Sequence, residues 1–213
     1  MTRQTGTWRK LGLVLPMAVF LLSACVDGMA GGGRDAPTAV LVAGGQLTIA
    51  GPRGRCIDKC ASRDSGVGTF VLLGSCAKLS GSTAAARPRD LAVVTVSAYP
   101  GGGAATDFAA GFPAMAKFLS SAPGRAALSR SGKAATVQIL AITSRDGVMF
   151  IHAADSAPAP GQRVEADYWR ALMALKGQIV TLSVLGLKSQ PLAADAKLAL
   201  LQSFAAKLQA ANR

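Results

Sequence analysis

Histidine is nearly missing from this sequence, since only His152 occurs among the 213 residues. A Ser-His-Asp hydrolase would therefore have to use His152 as its base. The patterns of a nucleophile elbow (G-x-S-x-G), a zinc-protease helix (H-E-x-x-H) and a dinucleotide-binding loop (G-x-G-x-x-G) do not occur either. These absences favour a protein that is not an enzyme.

Acidic residues are scarce, with eleven Asp and Glu against 23 Lys and Arg, and the formal net charge is +12. Such a balance suits nucleic acid or an anionic membrane surface. The acidic residues are scattered along the chain. Glu165 and Asp167 stand two apart, and we interpret them as solvated loop charges that cap a short helix at Tyr168.

The N-terminus carries three basic residues, Arg3, Arg9 and Lys10, followed by an apolar run from Leu11 to Leu22. Twelve residues are too few to cross a hydrocarbon core, which needs about 20. A short apolar run after basic residues predicts a secretory signal. Export argues against nucleic acid as a partner.

The apolar run ends in Leu22-Ser23-Ala24-Cys25, which resembles the lipobox of bacterial lipoproteins. The resemblance implies cleavage before Cys25 and diacylation of Cys25, and two acyl chains anchor a protein stably where one does not. Val26 stands where Asp would favour the inner membrane, so the resemblance implies the periplasmic face of the outer membrane. The alternative is an ordinary cleaved signal in which Cys25 is incidental.

Three segments follow from this interpretation. Residues 1–24 form the signal peptide, and the Gly-rich residues 25–37 form a flexible tether. Residues 38–213 form one periplasmic domain, whose length suits a single core.

Three further cysteines, Cys56, Cys60 and Cys76, would lie in an oxidising compartment, where a disulfide is expected. We favour Cys56–Cys76, which would contribute roughly 3 kcal/mol in the chain-entropy model, over a close Cys56–Cys60 pair. Cys60 would then be left over. These cysteines and His152 match no familiar zinc-site spacing, so we expect no metal or other cofactor.

A cluster of basic residues surrounds the first two of these cysteines: Arg53, Arg55, Lys59 and Arg63. Arg87 and Arg89 are candidates to join them. A Gly-containing loop with four cations could bind phosphate or carboxylate groups through charge-assisted hydrogen bonds. Lipid headgroups, lipopolysaccharide or an acidic protein are the candidate ligands, and a solvated basic loop is the alternative.

Apolar runs predict more strands than helices. Predicted strands lie within 38–50 (a hairpin around Gly44-Gly45), 69–75, 91–98, 135–144, 148–153 and 178–187. Predicted helices run from Asp107 to about Leu119, from Pro123 to near Gly132, over 166–175 and over about 192–210. The last helix is amphipathic, with Lys197 and Lys207 expected to face solvent. The order predicts an α+β fold, mostly an antiparallel sheet with helices packed on one face.

The element order, with a late strand before a C-terminal helix, resembles the PsbP/Mog1-like architecture. Residues 38–213 are also similar to uncharacterised lipoproteins of alphaproteobacteria. The segments that carry this likeness are LTIAGP (47–52), CID (56–58), FVLLGSC (70–76) and DYWRAL (167–172). The likeness implies a Cys56–Cys76 bridge, with Cys60 particular to this chain, and it implies no activity.

The sequence as a whole favours a membrane-anchored, non-catalytic binding or accessory domain for a protein or an anionic envelope component. The alternative is a thiol- or histidine-dependent periplasmic enzyme that uses Cys60 or His152, because the neighbouring cations would lower the pKa of the thiol.

Overall fold

The structure, a computed structural model, describes residues 36–158, 161 and 163–213. The predicted signal peptide, Cys25 and most of the tether lie outside these residues. The described strands are β1 (Ala39–Val42), β2 (Leu47–Ala50), β3 (Arg55–Ile57), β4 (Arg63–Ser65), β5 (Gly68–Ser75), β6 (Ala92–Pro100), β7 (Val137–Arg145), β8 (Val148–Asp155), β9 (Val164–Leu175) and β10 (Gln178–Leu187). The described α-helices are α1 (Cys76–Ser80), α2 (Phe112–Ser120), α3 (Ala122–Leu128) and α4 (Ala194–Ala211).

Eight of the strands form one antiparallel sheet in the order β3-β5-β6-β10-β9-β8-β7. The eighth, β4, pairs with β5 beyond the end of β3, so β3 and β4 share the outer edge of β5. The strands β1 and β2 form a separate two-stranded hairpin. This arrangement confirms the α+β class, the antiparallel sheet and the C-terminal helix.

Both faces of the large sheet carry a core. On one face the side chains of Val96, Val184 and Met173 pack with Phe204 and Leu208 of α4 and with the β1–β2 hairpin. On the other face, Met149, Ile151 and Tyr168 pack with Phe112 and Leu128 of α2 and α3. The helices are therefore divided between the two faces, whereas a single helical face was expected.

The segment 166–175, expected to be helical, belongs to the strand β9. Its Ala, Leu and Met residues favour a helix, but its side chains alternate between the two cores, with Trp169 on one side and Tyr168 on the other. The two-residue turn Lys176–Gly177 has positive φ at both positions, as a tight hairpin requires, and connects β9 to β10. Pairing with β8 and β10 on both sides outweighs the local preference.

The helix expected from Asp107 begins later. A short 3-10 helix at Phe108–Gly111 comes first, and the Asp107 side chain makes no capping hydrogen bond. Helix α2 starts at Phe112, with Pro113 in its first turn, where a missing N–H costs little. The next helix is also shorter than expected and ends at Leu128.

The disulfide joins Cys56 to Cys76, as favoured, and so excludes the Cys56–Cys60 pair. It ties β3 to the start of α1, at the end of β5.

The last turn of α4 is fastened to the first hairpin of the described domain. The Asn212 side chain accepts a hydrogen bond from the Thr48 amide and donates one to the Thr48 carbonyl, both at 2.8 Å. The Asn212 side chain thus makes the two hydrogen bonds that a neighbouring strand would otherwise make with the Thr48 backbone at this edge of β2.

Candidate functional site

Arg55, at the start of β3, is only 3% exposed although it carries a guanidinium group. Its Nη1 donates to the Ala92 carbonyl and its Nη2 to the Asp90 carbonyl, both at 2.7 Å. Burial lowers the pKa of Arg55, while the Asp90 charge acts in the opposite direction. An arginine remains charged in proteins, so a positive charge lies beneath the surface here. Its Nε has no hydrogen-bond partner among the described residues.

A close backbone contact brings a second basic segment over Arg55. Gly54 has φ of 80°, and a Cβ at this position would lie 2.5 Å from the Arg87 carbonyl carbon and 2.6 Å from the Pro88 nitrogen. Only glycine allows both the backbone conformation and this approach. The loop that follows α1 can therefore lie against the start of β3.

The segment around Gly54, the segment around Arg87 and helix α4 line an open cleft of about 390 Å³. Its lining residues are Pro52, Arg53, Arg55, Arg87, Pro88, Arg89, Asp90, Leu200 and Ser203. Arg53, Arg87 and Arg89 are exposed. The lining thus contains four arginines and one acidic residue, Asp90. We call this site the arginine cleft.

The basic residues expected to form one cluster are divided between two places. Arg53 and Arg55 line the arginine cleft, where Arg87 and Arg89 join them. Lys59 and Arg63 line a separate groove of about 180 Å³. The separation follows from the strand pairing, because β3 pairs with residues 73–75 of β5 whereas β4 pairs with residues 68–70.

A buried charge cluster joins α4 to β9. Lys197 is 1% exposed, which contradicts its expected position facing solvent. Its Nζ donates to Glu165 Oε2 at 3.0 Å and to the Asp167 carbonyl at 3.2 Å, and it lies 2.5 Å from Asp167 Oδ1. Glu165 and Asp167 are therefore strand residues paired with a lysine, not solvated loop charges that cap a helix.

His152 belongs to the same cluster. Its Nε2 lies 2.5 Å from Asp167 Oδ2, and its ring stacks on Trp169 with centroids 4.5 Å apart. No serine or threonine hydroxyl among the described residues hydrogen-bonds this imidazole, so a Ser-His-Asp arrangement is not formed there. We interpret the cluster as a polar link between α4 and the sheet.

The position of Glu165 depends on the absence of a side chain opposite it. A Cβ on Gly186 would overlap the Glu165 carboxylate. Gly186 lies where the pairing of β9 and β10 shifts register. The same carboxylate also accepts a hydrogen bond from the Leu192 amide, just before α4.

One feature of the sequence could have indicated this buried charge cluster. Residues 165, 167 and 169 alternate, so in a strand they share one face, which here lies under α4. The helical interpretation of 166–175 concealed this pattern.

The other candidate nucleophile, Cys60, is exposed, and its amide donates to Asp58 Oδ1 at 3.0 Å. Within the described residues, no group of three or more His, Cys, Asp and Glu side chains is arranged to hold a metal ion. None of the described helices is long and apolar enough to cross a bilayer.

Comparison of the chain with protein families, curated proteins and solved structures finds no match. The resemblances inferred from sequence therefore stay predictions, and the site must be interpreted from its own chemistry.

Proposed function

We propose that this chain is a lipid-anchored domain of the bacterial cell envelope that binds a phosphate-bearing component in the arginine cleft. The observation that carries the proposal is the charge of the cleft, whose lining contains four arginines and a single acidic residue, Asp90. The lipobox-like Leu22-Ser23-Ala24-Cys25 supports the anchor and the compartment.

Arginine suits this role because its planar fork donates two parallel hydrogen bonds to one phosphate or carboxylate group. Arg55 supplies a fixed positive charge, since two backbone carbonyls hold its guanidinium in place. Arg53, Arg87 and Arg89 are exposed at the rim and free to approach a ligand from several sides. Such a site favours a doubly charged phosphate over a singly charged carboxylate.

The apolar part of the lining is relevant to the kind of ligand. Pro52, Pro88 and Leu200 line the cleft together with the arginines. A phosphate attached to a sugar or a glycerol could place its carbon atoms against these side chains. The shared chemistry is a phosphate group, whose source is either a membrane headgroup or a soluble phosphorylated molecule.

The test measures binding of the full chain to two probes, pyrophosphate in solution and vesicles that contain phosphatidic acid, by titration calorimetry. We expect the double variant Arg53→Gln/Arg89→Gln to weaken binding of the preferred probe by at least about a hundredfold, since it removes two charge-assisted interactions of about 1.5–3 kcal/mol each. The matched control is Arg145→Gln, which removes an exposed arginine from β7, at the opposite edge of the sheet.

Binding of pyrophosphate alone would identify a soluble ligand, and binding of the vesicles alone would identify a headgroup. Equal losses in the double variant and the control would refute the cleft as the binding site. Binding of an acidic peptide with neither probe bound would refute phosphate as the ligand.

A further inference from the structure

A second cavity lies next to the β1–β2 turn, at the end of the large sheet, and shares no lining residue with the arginine cleft. It is open to solvent and measures about 410 Å³, within the usual range of small-molecule sites. We call it the turn cavity. Asp64, Thr69 and Gln178 line it together with Ala43 and Gly44 of the turn. The three polar residues come from three different strands, β4, β5 and β10.

Strand pairing places these three polar residues on one face of the sheet. Asp64 pairs with Thr69, and Thr69 pairs with Ala98. Gln178 pairs with Pro100, which is two residues along β6 from Ala98. Paired residues share a face, and so do residues two apart in a strand, so all of these residues lie on the face that carries the core beneath α4 and the β1–β2 hairpin.

Gln178 is buried without a partner. The residue is 8% exposed, yet its carboxamide makes no hydrogen bond to any other described residue. Neither of its amide atoms is fully enclosed, so both can be reached from the turn cavity. Buried polar groups in folded proteins are nearly always hydrogen-bonded, and an exception is typical of a group that meets a ligand or solvent. This carboxamide offers two N–H donors and an acceptor oxygen.

The other two polar groups accept hydrogen bonds. The Thr69 hydroxyl donates its proton to Asp64 Oδ1 at 2.5 Å, so only its lone pairs remain available. The Asp64 carboxylate also accepts from the Ala43 amide and keeps free lone pairs, since an ionised carboxylate has about four acceptor positions. A ligand with several hydroxyl groups matches this set, because each hydroxyl both donates and accepts.

The charges around the turn cavity disfavour an ionic ligand. The Asp64 carboxylate repels an anion. Asp64 also borders the groove that Lys59 and Arg63 line, and these two cations repel a positively charged ligand. A neutral ligand avoids both repulsions.

We propose that the turn cavity binds a neutral saccharide, and that the Gln178 carboxamide recognises one of its hydroxyl groups. A hexose has about twelve non-hydrogen atoms, and a ligand of that size with ordinary contacts binds with a Kd of about 1–10 mM. The site is independent of the lipid anchor and of phosphate binding in the arginine cleft.

NMR titration of the full chain tests this proposal, because the Gln178 side-chain amide has its own signals. The probes are glucose, galactose and mannose, each added to about 50 mM, several times the weakest expected Kd. The amino sugar and the uronic acid of the hexose that binds best supply a positive and a negative counterpart at about pH 6. We expect at least one hexose to shift the signals of Gln178 and Gly44, and to bind more tightly than both of its charged counterparts.

Gln178→Leu removes the carboxamide and keeps a similar volume. It should weaken binding about fivefold, the usual effect of one lost hydrogen bond, and leave Tm unchanged, because the amide has no partner within the described fold. The matched control Gln138→Leu makes the same change at an exposed position of β7 and should leave binding unchanged.

The absence of shifts with all three hexoses would overturn the proposal. A charged counterpart that binds as tightly as the hexose would overturn the neutral class of ligand. Unchanged affinity of Gln178→Leu, or an equal loss in Gln138→Leu, would overturn the role of Gln178.

Discussion

Replacement of Lys197 by methionine tests whether the buried charge cluster holds α4 on the sheet. The change keeps most of the side-chain volume but removes the ammonium group that contacts Glu165 and Asp167. Two carboxylates would then lie together beneath the helix without their counter-charge. Removing one partner of a buried ion pair costs about 3–5 kcal/mol.

The low end of that range applies here. The side chains of Glu165 and Asp167 are 19% and 31% exposed, so water screens part of the uncompensated charge. We expect Lys197→Met to lower the free energy of unfolding by about 3 kcal/mol, which corresponds to roughly 6–12 °C in Tm for a domain of this size. Urea unfolding followed by circular dichroism measures the loss.

Two controls make the prediction specific. Lys207→Met removes an exposed lysine from the same helix and should change stability by no more than about 0.5 kcal/mol. The triple variant Lys197→Met/Glu165→Gln/Asp167→Asn removes the ammonium group and both carboxylates that it contacts, and it should recover at least half of the loss, because no carboxylate is left unpaired. A loss below 1 kcal/mol, or a triple variant no more stable than the single one, would refute the reasoning.

Three further predictions concern the anchor, the disulfide and pH. Cys25→Ser should move the protein from the membrane to the soluble fraction, and a variant that still sediments with membranes and carries acyl chains would contradict the lipobox interpretation. Cys56→Ala or Cys76→Ala should lower the free energy of unfolding by about 3 kcal/mol, with a smaller effect of Cys60→Ala, and calorimetry giving the reverse order would contradict this. Burial acts to raise the pKa of Asp155, but hydrogen bonds from the Arg130 and Ala157 amides and other contacts outweigh it, so the net pKa is lowered. Because the pKa of Asp155 is lower in the folded state, its ionised carboxylate stabilises the fold above the ordinary pKa of about 4, and this stabilisation is lost as the pH falls below that value. The difference in stability between the wild type and Asp155→Asn should therefore shrink below about pH 4.

Local patterns predicted those parts of the fold whose neighbours in sequence are also neighbours in space. The hairpin of β7 and β8 is an example, because Arg145-Asp146-Gly147 marks a tight turn between two apolar runs. Helix α4 is another, since its apolar stripe has a clear helical period. By contrast, β9 lies between β8 and β10, and its Ala- and Leu-rich sequence does not by itself exclude a helix.

The arginine cleft was partly predictable from the sequence, whereas the buried charge cluster was not. The proximity of Arg87 and Arg89 to Arg53 was expected as an option, and the structure brings them together. The ion pair of Lys197 with Glu165 could not be predicted once the segment that contains Glu165 was interpreted as a loop followed by a helix. A lysine next to the apolar stripe of a helix is normally solvated. Only the position of β9 beneath α4 shows that Lys197 has a carboxylate partner.

The hydrogen bonds between Asn212 and Thr48 have a consequence for the order of folding. Their partners are 164 residues apart, and the β1–β2 hairpin packs against the helix that ends beside Asn212. At the usual pace of synthesis, about 5–20 residues per second, the hairpin waits roughly 8–30 s for the helix that covers it. During that interval the apolar side chains of the β1–β2 hairpin are not yet packed against α4. The hairpin is therefore the segment that a chaperone would need to shield.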